Sequence, residues 1–127
     1  MAAWEYFHEE DCRSAIVHAA SAIERVMTKV VRKRLAEGAA ATSSRIDKFI
    51  EETSNRLLCT VVFGQLGIGE ESLRSGLADV FELRNRLVHG KQYQATREET
   101  QAALDGMEKL FDLGGIDIVN ERMTRPG

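Results

Sequence analysis

Apolar residues recur at three- and four-residue steps through most of this chain, with polar residues filling the positions between them. Over residues 4–35 the apolar members are Trp4, Phe7, Ala15, Ile16, Ala19, Ile23, Val26, Met27, Val30 and Val31, the spacing of one long amphipathic helix. Acidic Glu5, Glu9, Glu10 and Asp11 crowd its start and Arg32, Lys33 and Arg34 crowd its end, with Gly38 following as a stop. That charge order complements a helix dipole. A second stripe of Ile46, Phe49, Ile50, Leu57, Leu58, Val61 and Val62 predicts a helix over residues 44–63, opened by Ser44 with Asp47 three positions on. After Gly64, Gly67 and Gly69, residues 71–88 carry Leu73, Leu77, Val80, Phe81, Leu83, Leu87 and Val88 and predict a third helix, ended by Gly90. Thr96 and Glu99 have capping-box spacing. They open a fourth helix through Ala103, Leu104, Met107, Leu110 and Phe111, which stops near Gly114 and Gly115.

Four helices joined by short connections predict an all-α fold, an antiparallel four-helix bundle. The chain divides into a helical domain over residues 1–115 and a C-terminal tail over residues 116–127. Within that tail, Ile116, Ile118 and Val119 are suited to pack back as a short extra element.

Composition narrows the picture. A length of 127 residues suits one hydrophobic core, and 43% apolar with 29% charged residues excludes a largely disordered chain. No apolar run approaches the roughly 20 residues of a membrane-spanning helix. The first residues also lack the basic-then-apolar order of a secretory signal, so no membrane partner and a cytoplasmic location are expected. A weaker reading takes the Met-Ala-Ala opening as the start of a piece of a longer protein. Cys12 and Cys59 fall within helical stretches, away from metal-ligand spacing, and are expected to be reduced packing residues; His8 and His18 read as ordinary helix residues. No metal and no other cofactor is called for. The net charge of −3 offers no global basic field, so any nucleic-acid contact must come from a local patch.

One segment carries candidate chemistry: Glu82, Leu83, Arg84, Asn85, Arg86, Leu87, Val88, His89, Gly90. At 100° per residue Arg84 falls near the middle of the apolar stripe of its helix. A guanidinium cannot be neutralised by losing a proton. Such a position must therefore offer it a carboxylate, carbonyls, a subunit interface or an anionic ligand. His89 lies about 140° around the helix and roughly 7.5 Å along it, so one straight helix does not aim both side chains at one phosphate. Unwinding of the helix near Gly90 would, and so would a two-fold dimer, because isologous contact brings the same segment of two subunits to one axis. Asn85 sits one turn before His89, and Glu82 one turn before Arg86 as a surface pair.

The run Arg84, Asn85, three further residues, His89 and Gly90 resembles the signature of the HEPN family: arginine, a polar residue, then histidine after a short spacer. The helical order agrees with that family over roughly residues 4 to 112. What the resemblance implies is metal-independent cleavage of RNA at a site assembled across a homodimer. Arg84 would hold the scissile phosphate, His89 would transfer a proton, and Asn85 would position one of them. A histidine suits such work because both of its protonation states are accessible near neutrality. The chain would then be an endoribonuclease acting as a toxin or defence effector, with an antitoxin or regulatory protein as a further partner. The alternative is a noncatalytic HEPN module that binds a partner protein, a nucleotide or RNA.

Residues 84–97 contain no acid, which makes Arg86, Lys91 and Arg97 candidate contacts to RNA backbone and Tyr93 a candidate base-stacking residue. Blander readings accompany each. His89 would be a favourable cation at a helix C-terminus, Arg84 a structural arginine bound to a buried carboxylate, and the rest a solvated loop. The group Arg25, Lys29, Arg32, Lys33 and Arg34 reads first as a solvated helix end.

Overall fold

The computed structural model describes residues 2–38, 41–92 and 94–114. Tyr93 and the predicted tail over residues 116–127 lie outside the described residues. Within them the chain is all-helical and no strand is present.

The first predicted helix is two helices. α1 (Ala3–His8) and α2 (Cys12–Glu37) are separated by a turn at residues 9–11, in which Glu10 adopts a left-handed φ of 62°. Asp11 then starts α2 as its N-cap, accepting the Ser14 backbone N–H at 3.1 Å. Periodicity missed the break because both sides of it are apolar on one face. Folded back on α2, α1 buries Trp4 and Phe7 against the same core that Ile16 and Ile23 enter from α2.

The second predicted helix is also interrupted. α3 (Ser43–Glu52) is capped by Thr42, which accepts the Arg45 N–H, and not by Ser44. Thr53 is extended, and Ser54 caps a new start by accepting the Leu57 N–H at 3.2 Å. From there α4 (Asn55–Leu57) runs through a π-helical turn, Leu58–Val62, into α5 (Phe63–Leu66). The i→i+5 bonding of such a turn helps Leu58 and Phe63, five positions apart, reach the core together, at 1% and 0% exposure.

The last two helices match their sequence reading. α6 (Glu71–Val88) ends before Gly90, whose φ is +74°, and α7 (Arg97–Gly114) begins at a complete capping box. There the Thr96 hydroxyl accepts the Glu99 N–H at 3.0 Å and the Glu99 carboxylate accepts the Thr96 N–H at 2.9 Å.

α2 is the axis of the assembly: α1, α3, α6, α7 and the π-helical turn all pack on it. Ala15, Ala19, Ala20 and Ala22 are buried along it and allow close approach, while Ile16, Ile23, Met27 and Val31 fill the space between neighbours. Among the described residues no helix is long and apolar enough to cross a membrane.

Truncating Phe63 to Ala is expected to cost about 3–5 kcal/mol, read as a lower urea midpoint at unchanged slope. Acid should act at the start of α2. Hydrogen bonding from Ser14, through its side chain and then its backbone, holds the Asp11 carboxyl below its ordinary pKa. Because the folded value is depressed, the stabilisation is complete above the unfolded carboxylate pKa of about 3.9 and is lost as pH falls through the folded value. The stability advantage of wild type over Asp11→Asn should therefore shrink below about pH 4, measured by urea titrations across pH.

Candidate functional site

The end of α6 departs from the core in a specific way. On an ideal helix Leu77, Phe81, Arg84 and Val88 share a sector about 60° wide. Leu77 and Phe81 in that sector are buried, at 0% and 3% exposure, whereas Val88 is 53% exposed and Arg84 is half-buried. Over the last turn the core contact passes to Leu83 and Leu87, on the neighbouring sector. The stripe on which the sequence places Arg84 is thus real, but the protomer leaves its C-terminal end uncovered.

Arg84 is not bound to a buried carboxylate, as one sequence reading had it. Its Nε donates to Asn85 Oδ1 at 3.1 Å and its Cζ lies 5.8 Å from the centre of the Phe81 ring. Among the described residues no carboxylate pairs with it. Asn85 is exposed, and its amide oxygen orients the guanidinium. Of the two residues that Asn85 was expected to position, Arg84 is the one it contacts.

His89 is the C-cap residue of α6, exposed, with its backbone N–H donating to Asn85 O at 2.9 Å. Gly90 supplies the left-handed residue that follows. Arg84, Val88, Asn85 and His89 follow one another, in that order, around about 140° of the helix, all exposed or half-buried. One contiguous surface therefore carries two cationic or ionisable groups, an amide and an apolar side chain.

The other candidates divide. Arg86 pairs with Glu82 at 3.1 Å, as the sequence predicts, and its Nε also donates to Gln92 Oε1 at 3.1 Å. Lys91, two positions after His89, is exposed. Arg97 lies over the Phe7 ring, 4.5 Å from Cζ to its centre. Tyr93 falls outside the described residues. Of the basic group at the end of α2, Arg32 pairs with Asp47 at 2.7 Å and Arg34 donates to Leu66 O at 2.8 Å.

A nearby groove of about 430 Å³ between α6 and α7 is lined by Asp79, Glu82, Glu99 and Arg86, a lining whose acids disfavour phosphate. Among the described residues no cluster of three or more His, Cys, Asp or Glu side chains could hold a metal ion. Both cysteines are free thiols; burial pushes the Cys59 thiol up to about 11.

A residue that sequence reasoning missed is Arg13 in the first turn of α2, whose Nη2 donates to Leu87 O at 2.9 Å. No local signal marks it, because its partner lies 74 positions away in sequence. Comparison with protein-family models, curated proteins and solved structures finds no match to the chain.

Two outcomes check this geometry. Gly90→Ala should lose about 1–2 kcal/mol in urea unfolding, because a Cβ there would meet nothing within 4 Å and only the left-handed backbone opposes it. At neutral pH a thiol reagent should label half-buried Cys12 in the native protein and reach Cys59 only on unfolding.

Proposed function

We propose that this chain is a metal-independent endoribonuclease of HEPN type, built on an antiparallel core of α2, the segment from α3 to α5, α6 and α7, and active as a homodimer. The observation that carries the reading is the exposed end of α6, where Arg84 lacks a carboxylate partner among the described residues and shares one surface with Asn85 and His89. A phosphodiester supplies the negative charge that such a guanidinium lacks, and bidentate geometry suits it. Val88, exposed between Arg84 and His89, gives two copies of α6 an apolar contact from which to set the paired sites.

In the reaction the ribose 2′-hydroxyl attacks the adjacent phosphorus, its proton passes to a base, and the bond to the 5′-oxygen breaks as that oxygen gains a proton. His89 serves as a proton-transfer group and Arg84 stabilises charge on the phosphoryl oxygens. Asn85 fixes the Arg84 side chain through the hydrogen bond described above. The products are a 2′,3′-cyclic phosphate and a 5′-hydroxyl. Lys91, exposed two positions after His89, is the cation best placed to meet the flanking backbone, and Arg86 contributes less because Glu82 already opposes it. A toxin or defence role, with an antitoxin or regulatory protein as partner, follows from the same reading.

The test is cleavage of single-stranded RNA by the purified protein in the presence of a chelator. Arg84→Ala and His89→Ala should each lower turnover by about 10²-fold or more while scattering still reports a folded dimer. Full cleavage in either variant, or a monomer that cleaves normally, would refute the site. Stable RNA or protein capture by a wild type without turnover would instead support the noncatalytic module.

A further inference from the structure

The end of an exposed helix ordinarily frays, because its last four carbonyls have no partner within the helix. α6 does not leave its last turn to that fate. Asn85 O accepts the His89 N–H at 2.9 Å, and Arg86 O accepts the N–H groups of Lys91 and Gln92 at 3.0 and 3.1 Å. Gln92 closes the turn from both ends of its amide: Oε1 accepts Arg86 Nε at 3.1 Å and Nε2 donates to Gln94 O at 2.7 Å. A third carbonyl of this group, Leu87 O, is met from a different helix by the guanidinium of Arg13, 74 positions away in sequence.

We propose that Arg13 is a positioning residue that fixes the turn bearing His89 to the start of α2, and so sets the aim of the imidazole. Three features support it. The guanidinium sits at the C-terminal pole of α6, where a cation is electrostatically favoured. Arg13 lies in the first turn of α2, and Asp11 holds that turn by capping Ser14. Beyond the turn, Gln94 and Ala95 line one shallow cleft with Arg13. Every bond inside the turn moves with the turn; the one from Arg13 ties it to the core helix. As a deepening of the ribonuclease reading it rests on that reading for its catalytic consequence: proton transfer demands placement to a fraction of an ångström, and Arg13 supplies the external reference.

Two readouts on the intact 127-residue chain separate this from a general loss of stability. Amide hydrogen exchange, which involves no RNA, should accelerate about tenfold at His89, Lys91 and Gln92 in Arg13→Ala, with Leu104 and Leu110 in α7 unchanged. Arg13→Lys, which retains a donor for Leu87 O, should restore most of the protection. With a mixed-sequence single-stranded RNA, kcat should fall about tenfold at unchanged KM in Arg13→Ala and recover in Arg13→Lys. Unchanged exchange at His89, Lys91 and Gln92 would overturn the proposal, as would equal acceleration in α7. A raised KM at constant kcat would overturn it differently, by making Arg13 an RNA contact. If wild type cleaves no RNA while the exchange difference is present, the ribonuclease reading fails and the anchoring by Arg13 stands.

Discussion

The burial of one broad face of α2, about half of its circumference, against five neighbours is the constraint from which the remaining architecture follows. A helix touched by α1, α3, α6, α7 and the π-helical turn cannot carry large side chains in every direction, and the run of buried alanines at 15, 19, 20 and 22 answers that geometry. Small side chains bring the neighbouring backbones close, which excludes water from a large contact area. Larger residues at 16, 23, 27 and 31 then set how far apart the neighbours stand. α6 and α7 are placed by this packing, and the end of α6 is placed with them.

The candidate site is accordingly a product of helix termination. Upstream, the sector that holds Leu77 and Phe81 is sealed. Downstream, the same sector bears Arg84 and Val88 and faces outward. A cation there needs neither a deep pocket nor a buried counter-ion, and Asn85 and Phe81 hold its guanidinium through an amide and a ring face. The adjoining turn, closed by Arg86, Gln92 and Arg13, gives the exposed His89 a backbone with little freedom to wander.

Much of this was legible in the sequence where local chemistry and periodicity agree. Thr96 with Glu99 marked the start of α7, Gly90 the end of α6, and Glu82 with Arg86 a surface pair, because each depends on residues within one turn of each other. The interruptions at residues 9–11 and 53–54 were not legible. Apolar residues on both sides of each break keep a helical spacing, which hides the N-caps Asp11 and Ser54 that restart the helix. Arg84 was half legible: its stripe was found, but not where the cover ends. The Arg13 to Leu87 contact joins residues 74 positions apart and has no local signature at all.

The helix that runs back along α6 is short. From Asn55 to Leu66, through the wide turn at Leu58–Val62, it has twelve residues against the eighteen of α6, and a turn of that kind advances no faster than an α-helical one. Joined to the start of α6 by a four-residue connection over residues 67–70, it falls about 9 Å short of the other end at 1.5 Å per residue. The last turn and a half of α6, which carries Arg84 and Val88, therefore extends past the end of this neighbour. That overhang reflects the length of a helix that contributes none of its residues to the surface.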